Sequence, residues 1–412
     1  MSEHAHFSRH LRPRLIEALS DTPVVLIHGP RQSGKTTLAR TVEGYTYITF
    51  DDQVQRAAAM ADPVGFVADL PEQAVLDEVQ RVPELFVTLK ASIDRNRRPG
   101  RFILTGSANV LLLPKLSDSL AGRMELLRLH PLAQCEIEGT TSGFLGQLLA
   151  ADFRAREYGR LGEELVQRMV TGGYPAAVAR GAGRRSRAWY RAYAETLVQR
   201  DVRDLARISS LDALARLLQL AAGQTARLFN VSELAAPFQL SRPTIRDYVT
   251  LLERIFLLEL LPPWHSNRLS RLIKTPKLHI TDTGLLASLL GVDAAALARD
   301  RGLLGQLLET FIFQELRRQA SWHQDAIRFH HFRDKDGYEV DIVLECEGRD
   351  IAGVEVKAAA TVTAADFRGL RKLRSATGER FAAGVVLYDG ERSVRFAEDL
   401  FAVPIAALWS PG

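Results

Sequence analysis

One short segment near the start of the chain, residues 29–36, constrains the fold more than any other. It reads GPRQSGKT, fits the pattern GxxxxGK[ST], and lies between an apolar run, residues 24–27, and a helix-like stretch. In such a loop, glycines let backbone N–H groups curl around phosphate oxygens, and the following helix presents its positive end to them. A strand, a glycine-bounded loop and a helix in this order predict a parallel α/β sheet that binds a nucleotide.

The whole loop is expected to contact the nucleotide. Lys35 can reach the β- and γ-phosphates and is counted as catalytic, while the Thr36 hydroxyl can ligate Mg²⁺. The flanking strand and helix make a chance glycine-rich loop a poor alternative. The predicted nucleotide-binding residues here are Gly29, Pro30, Arg31, Gln32, Ser33, Gly34, Lys35, Thr36 and Thr37.

A second apolar run, residues 74–76, ends in the acidic pair Asp77 and Glu78. Its distance from the loop, some 40 residues, is where a metal-organising aspartate and a glutamate that polarises the attacking water are expected. We therefore predict that Asp77 binds Mg²⁺ and that Glu78 is catalytic.

A third strand-like run, residues 101–105, is followed by small polar residues. Because the carboxyl ends of parallel strands face the ligand, Ser107 or Asn109 could sense the γ-phosphate, although each is equally compatible with a simple turn. Further on, Arg123 could neutralise transition-state charge, either in its own chain or on a neighbouring copy.

These motifs together resemble a known family. GPRQSGKT, VLDEVQ, LTGSAN and LAGRMELLRLHPLAQCE follow in the order seen in bacterial and archaeal AAA-type ATPases that carry domain of unknown function 4143. The resemblance continues through GGYP, TDTGLL, EVD and EVK and covers nearly the whole chain, although HPLAQCE is a looser version of the family's Pro-Leu-Ser-Phe-x-Glu-like element. It implies an ATPase, with ATP and Mg²⁺, fused to DNA-binding-like and nuclease-like modules.

Residues 228–280 resemble a winged helix-turn-helix, with two helices and candidate strands at 255–261 and 277–281. Ser241 is a suitable N-cap for the second helix. Such a helix would enter the major groove of DNA with its early residues nearest the bases, whereas a wing would contact phosphates. The alternative is a lid or a protein contact. The predicted DNA-binding residues are Arg242 and Arg246 on the helix, and Arg268, Arg271 and Lys274 on the wing.

Near the C-terminus, two strand-like runs would form a hairpin about Gly348. Positions 341 and 355 are equidistant from that turn, so Asp341 would lie opposite Glu355, and Lys357 shares their face by the period of two. Two carboxylates and a lysine are what metal-dependent phosphodiester cleavage needs, and the spacing looks like the D…ExK motif of restriction-endonuclease-type folds. The alternative is an exposed hairpin face with ion-paired charges.

In that interpretation Asp341, Glu355 and Lys357 are catalytic, and Asp341 and Glu355 bind the metal. Glu309, on a preceding amphipathic helix, matches where many such folds add an acidic ligand.

Composition narrows the class of protein. Two cysteines, Cys135 and Cys346, cannot form a disulfide framework, which favours a reducing cytoplasm. The first twenty residues lack a continuous apolar core and no apolar run reaches 18 residues, so we expect neither a signal peptide nor a membrane span. With 53 Lys and Arg against 49 Asp and Glu, the net charge of +4 is only weak evidence for a polyanionic partner.

The sequence thus predicts an α/β chain of four parts. These are a P-loop NTPase parallel sheet (1–160), a helical lid (161–225), a winged-helix-like segment (226–290) and a restriction-endonuclease-like α/β domain (291–412). One hypothesis is an ATP-hydrolysing, DNA-associated protein whose nucleotide state controls the nuclease-like domain. The other is an ATP-gated regulator or scaffold whose distal domains bind a protein and whose nuclease fold is inactive. Self-association through the ATPase domain is left open.

Overall fold

The computed structural model describes residues 7–107, 122–201, 211–238, 240–266, 275–346 and 350–411. The chain divides into two compact units. The N-terminal unit comprises Ser8–Leu132 and Arg254–Phe256, and the C-terminal unit comprises Met1–Phe7, Ala133–Glu253 and Leu257–Gly412. Within the described ranges, no helix is both long enough and apolar enough to cross a membrane.

The N-terminal unit is a parallel sheet with helices, as the sequence predicts. Its strands run in the order β2-β3-β4-β1-β5 and are largely apolar, as in sheets covered on both faces. The strands are β1 (Val24–His28), β2 (Thr46–Thr49), β3 (Ala74–Asp77), β4 (Phe102–Gly106) and β5 (Met124–Arg128). The helices are α1 (Arg12–Asp21), α2 (Lys35–Arg40), α3 (Gln53–Ala61), α4 (Pro63–Ala68) and α5 (Leu85–Arg95).

The order of the strands positions the candidate nucleotide site. β4 lies between β1 and β3, so the segments that follow these three strands emerge side by side at the carboxyl edge of the sheet. A buried core that includes Phe50, Phe86 and Phe102 holds β1, β3 and β4 against α5. The strands that end at this edge therefore share one buried core.

The first half of the C-terminal unit is helical. Its helices are α6 (Gln134–Glu138), α7 (Phe144–Leu149), α8 (Glu163–Thr171), α9 (Pro175–Val178), α10 (Arg184–Thr196), which continues into a π-helical turn (Leu197–Asp201), and α11 (Leu211–Gly223). The described residues of the region predicted to be a helical lid are indeed mostly helical.

A small antiparallel sheet follows, built from β6 (Arg227–Leu228), β7 (Leu258–Leu261) and β8 (Lys277–Ile280) in the order β6-β8-β7. Two helices lie between its first two strands, α12 (Val231–Ala235) and α13 (Arg242–Arg254). The strand predicted at 277–281 is confirmed as β8. The strand predicted at 255–261 is confirmed only in its second half, as β7, and β6 was not predicted. We call α11 to β8 the three-helix segment.

The remaining residues form three helices and then a mixed sheet with a further helix. Those three are α14 (Thr283–Leu290), α15 (Ala294–Arg299) and α16 (Arg301–Ala320). The described strands run in the order β13-β14-β12-β11-β10-β9. They are β9 (Ile327–Arg333), β10 (Glu339–Cys346), β11 (Ile351–Lys357), β12 (Phe381–Tyr388), β13 (Val394–Ala397) and β14 (Leu400–Pro404), with α17 (Arg368–Thr377) between β11 and β12.

The predicted register of the C-terminal hairpin is confirmed. β10 and β11 are antiparallel, with pairs that run from Glu345 opposite Ile351 to Ile342 opposite Val354. One further step along this register brings Asp341 opposite Glu355. The prediction that α16 is amphipathic is wrong, because its polar residues Thr310, Gln314, Glu315 and Arg318 are buried as well as its apolar ones.

Candidate nucleotide site and carboxylate cluster

The glycine-bounded loop joins the carboxyl end of β1 to α2. Gly29 has a φ of +152°, and a Cβ there would lie 2.1 Å from the carbonyl oxygen of Leu129, so only glycine fits. Gly34 and, unusually for a residue with a side chain, Gln32 also have positive φ, at 97° and 59°. The loop thus takes backbone conformations that ordinary residues avoid, which is typical of a turn built around a ligand.

Lys35 lies against the inside of this loop. Its Nζ donates hydrogen bonds to the carbonyl oxygens of Gly29, at 3.0 Å, and Pro30, at 2.9 Å. Burial, together with the cations of Arg128 and Lys35, lowers the pKa of His28 to about 3. The imidazole at the end of β1 is therefore neutral at physiological pH, and it adds no charge to that of Lys35.

Asp77 and Thr36 meet although 41 residues separate them in the sequence. The Thr36 hydroxyl donates to Asp77 Oδ1 at 2.8 Å, and the Tyr47 hydroxyl donates to Oδ2 at 2.7 Å. Burial and the hydrogen bond to Asp77 raise the pKa of Tyr47. A hydroxyl and a carboxylate at hydrogen-bond distance are hard oxygen donors, so these residues fit Mg²⁺.

Glu78 is held in a conformation that is rare for a residue with a side chain, with a φ of 59°. Its N–H donates to Thr105 Oγ1 at 3.1 Å, and its Oε2 accepts from Ser107 Oγ at 3.1 Å and from the amide of Gln80. Gln80 also donates to Ser107 Oγ at 3.1 Å. Two predicted residues, Glu78 and Ser107, therefore bond each other directly, and Gln80, which the motifs did not indicate, donates to both. Asn109 lies outside the described residues.

Arg9 is another residue that the sequence motifs did not indicate. Its guanidinium donates to the carbonyl oxygens of Ser33, at 2.6 Å, and His130, at 2.7 Å. It therefore connects the loop to the segment that follows β5. The 24 residues between Arg9 and Ser33 explain why no local pattern revealed it.

Arg123 lies at the other edge of the sheet. It directly precedes β5, whose first residue pairs with Val24 at the start of β1, whereas the loop follows the end of β1. At about 3.3 Å per strand residue, roughly 13 Å separates the two edges. Its guanidinium binds both carboxylate oxygens of Asp94, at 2.5 and 3.0 Å. The predicted role of Arg123 at a nucleotide, in its own chain or on a neighbouring copy, stays a prediction.

In the C-terminal unit, the predicted carboxylates converge, but with a partner that was not predicted. Lys277, from β8, places its Nζ 2.6 Å from Glu309 Oε1 and 3.3 Å from Asp341 Oδ1. Lys357 Nζ lies 2.9 Å from Glu355 Oε1. We call these three carboxylates and two lysines the carboxylate cluster.

Burial and mutual repulsion govern the protonation of this cluster. Burial and the neighbouring Asp341 raise the pKa of Glu355 to about 8. Burial lowers the pKa of Lys277, but Glu309 and Asp341 more than offset it, so that its pKa lies above the ordinary value. Both shifts arise because the carboxyl groups of this cluster lie buried beside one another and beside the two lysines.

The cluster as folded does not fit a divalent metal. An ammonium group lies where a metal would have to contact Glu309 and Asp341, and the other oxygen of Asp341 accepts the Val356 N–H at 3.0 Å. No group of three or more His, Cys, Asp or Glu side chains in the described ranges has the geometry of a metal site. The set of metal ligands predicted here from Glu309, Asp341 and Glu355 thus finds no support.

Comparison with known proteins defines the family. Family models match an AAA domain at residues 21–138, a domain of unknown function (DUF8612) at 162–296 and a domain of unknown function (DUF4143) at 304–408. Uncharacterized protein Rv2008c of Mycobacterium tuberculosis and uncharacterized protein Mb2031c of Mycobacterium bovis are each 32% identical over 402 residues, which is 97% of this chain and 84% of each relative. The chain belongs to the AAA-type ATPases that carry domain 4143.

A match among solved structures is much weaker. A chain from the refined half-complex of a tetradecameric assembly of Thermococcus gammatolerans McrB AAA+ hexamers with bound McrC is 13% identical, with a TM-score of 0.24. The match covers 69% of this chain and 76% of that one. At this score the likeness carries no structural argument.

In this AAA-type ATPase, two of the family motifs meet in the C-terminal unit, around Asp282. Its Oδ1 caps α14 by accepting the N–H groups of Gly284 and Leu285, and its Oδ2 accepts from Gly173 and from Arg318. Both Asp282 and Arg318 are buried. TDTGLL and GGYP resemble family motifs, but nothing in their sequence predicted that they bind each other.

The candidate DNA-binding helix, α13, begins as predicted. Ser241 Oγ accepts the Thr244 N–H at 3.2 Å, as an N-cap does. Its apolar residues Ile245, Tyr248, Val249, Leu251 and Leu252 are buried. Arg242 and Arg246 are exposed in its first turns. Arg268, Arg271 and Lys274 lie outside the described residues.

Proposed function

We propose that the N-terminal unit binds ATP in the glycine-bounded loop and hydrolyses it. Lys35 neutralises the β- and γ-phosphates, and Glu78 orients the attacking water and accepts its proton. Ser107 and Gln80 hold the Glu78 carboxylate in place. Mg²⁺, held through Thr36 and Asp77, would offset charge on the phosphate oxygens. The observation that carries this proposal is the convergence of Lys35, Thr36, Asp77 and Glu78 at one edge of the sheet.

Changing Lys35 to alanine tests this proposal. The variant is expected to bind ATP about 30- to 100-fold more weakly, because charge-assisted bonds to the phosphates are lost. Fluorescent-nucleotide titration or calorimetry measures the effect. Lys90→Ala, on α5 of the same unit, removes an equal charge and should bind ATP normally. A Lys35→Ala variant with normal affinity and turnover would show that the loop is not the nucleotide site.

We also propose that the three-helix segment contacts DNA through α13. Its helices and strands follow the order of a winged helix-turn-helix. Only a short connection separates α12 from α13, and the exposed Arg242 and Arg246 lie at the start of α13. This is the part of such a helix that enters the major groove. Arg242 and Arg246 would neutralise phosphates or bind guanine.

Changing both arginines to alanine is expected to weaken DNA binding. It should also make the negative slope of log K against log salt shallower by about two, because two fewer phosphates are neutralised. Fluorescence anisotropy across a salt series measures the slope, with and without ATP. The matched control is Arg184→Ala with Arg185→Ala, two exposed arginines of α10. If the wild-type protein has no DNA affinity even at low salt, the segment binds a protein instead.

For the rest of the C-terminal unit, we propose only one part of the second hypothesis, namely that the nuclease-like fold does not cleave. The carboxylate cluster supports it, because its carboxylates are paired with lysines inside the fold. We further propose that the N-terminal unit self-associates, so that Arg123, at the edge of the sheet opposite the loop, meets a nucleotide bound to a neighbouring copy. Sedimentation with and without ATP tests that association.

A further inference from the structure

The carboxylate cluster contains a cation supplied by another part of the C-terminal unit. Lys277 is the first residue of β8, in the three-helix segment, whereas Glu309 belongs to α16 and Asp341 to β10. The ammonium group thus joins β8 to α16 and β10, through carboxylates that lie 32 and 64 residues away in the sequence. We propose that Lys277 is the resident cation of this cluster and that it excludes divalent metals for as long as its side chain remains there.

The contacts of Lys277 match those of a bound cation. Its side chain is 8% exposed, and those of Glu309 and Asp341 are 14% and 15% exposed. A lysine that is buried to this degree is stable only when paired, because burial of an unpaired charge is costly. The two carboxylates in turn would repel each other without it. Each side of the contact therefore requires the other.

Mg²⁺ and Mn²⁺ require oxygen ligands close to 2 Å away, arranged around the ion. Lys277 Nζ already contacts one oxygen of Glu309 and one of Asp341, so a metal bound to both would overlap the ammonium group and be repelled by it. The second oxygen of Asp341 is occupied by the Val356 N–H. Lys357 contacts Glu355 in the same way on the neighbouring strand. The cluster therefore holds two lysine side chains beside three carboxyl groups.

Poor access of solvent ions to the cluster does not explain why it would exclude divalent metals. A cleft of about 440 Å³ opens onto Lys277, Glu309 and Asp341, and another of about 480 Å³ opens onto Glu355 and Lys357. Solvent ions can reach the cluster from either cleft. In addition, Glu355 Oε2 is buried and has no hydrogen-bond partner in the described part of the chain. An oxygen of the cluster is thus available to a metal, whereas Lys277 already contacts the facing oxygens of Glu309 and Asp341.

The inference predicts that removing the cation creates a metal site. Lys277→Gln alone leaves Glu309 and Asp341 without a counter-ion, so the main variant is Lys277→Gln with Glu309→Gln, which removes one positive and one negative charge. Calorimetry with Mn²⁺ on the full chain without nucleotide should show binding at least about tenfold tighter than in the wild type. Mn²⁺ should also raise the melting temperature of this variant. Adding Asp341→Asn should abolish both effects.

Lys277→Arg is the matched control, because it retains a cation and should remain unable to bind Mn²⁺ tightly. The inference is overturned if the wild type binds Mn²⁺ at a site that Asp341→Asn removes. It is also overturned if the folded double variant, checked by circular dichroism, binds Mn²⁺ no better than the wild type. If the double variant does not fold, Mn²⁺ binding is compared between the wild type and the Asp341→Asn variant. Equal Mn²⁺ binding by the two proteins supports the inference, because it shows that the wild-type cluster holds no metal. None of these readouts depends on ATP hydrolysis, so their outcome is separate from that of the ATPase proposal.

Discussion

Replacing Glu78 with glutamine is expected to lower kcat for ATP hydrolysis by about 10²- to 10³-fold while ATP binding changes little, because a positioned general base contributes about that much to the rate. Glutamine has nearly the same shape, and its amide oxygen can still accept the hydrogen bonds from Ser107 and Gln80 that hold Glu78. What it loses is the capacity to take a proton from water.

Steady-state turnover and nucleotide titration on the same preparation separate the two effects. Glu84→Gln, which makes the same chemical change at an exposed position just before α5, is the control and should be unchanged in both. The role assigned to Glu78 would be wrong if Glu78→Gln turned over ATP at the wild-type rate. A loss of ATP affinity equal to the loss of kcat would instead assign Glu78 to binding.

Replacing Asp282 with alanine is expected to destabilise the C-terminal unit by about 3 kcal/mol, because it leaves Arg318 buried and without its closest counter-ion. Arg318 is 3% exposed at its side chain, its contact with Asp282 is 3.0 Å, and the nearby Glu315 lies farther away, at 3.8 Å. The same change also removes the cap of α14 and the acceptor for the Gly173 N–H.

Urea unfolding followed by tryptophan fluorescence measures this effect selectively. All four tryptophans, Trp189, Trp264, Trp322 and Trp409, belong to the C-terminal unit. Asp300→Ala is the matched control, because Asp300 caps α16 through the Leu303 N–H but is exposed and should cost only about 1 kcal/mol. Equal losses for the two variants would mean that the ion pair with Arg318 contributes nothing.

The two ends of the chain use lysines in opposite ways. Lys35 lies against neutral loop carbonyls, from which a phosphate can draw it away at little cost. Lys277 lies between two carboxylates. Removing its ammonium group from them requires a competing cation or a movement of β8. The first arrangement suits a site that binds and releases an anionic ligand. The second suits a fixed connection between the three-helix segment and the six-stranded sheet.

Features that depend on short stretches of chain could be predicted from the sequence. The eight residues of the loop carry the phosphate-binding chemistry together, so their spacing alone identifies it. The apolar run before Asp77 and Glu78 indicated a strand, and parallel strands bring such carboxyl ends to one edge. Likewise the period of two in a hairpin predicted the pairing of β10 with β11, and Ser241 predicted the start of α13.

Which distant groups meet depends on how the elements pack, and no short stretch of sequence shows it. Arg123 looked suitable for the nucleotide, but its position depends on which end of β5 it occupies, and the sequence did not show where that strand begins. The contacts of Arg9 with Ser33, and of Asp282 with Arg318, cross 24 and 36 residues. Most of all, the spacing of Asp341 and Glu355 predicted a metal site, whereas the structure places the ammonium group of Lys277 there. The period of two along a strand shows which face of the sheet a side chain lies on. The counter-ion of a charged side chain on that face comes from whichever element of the fold packs against it.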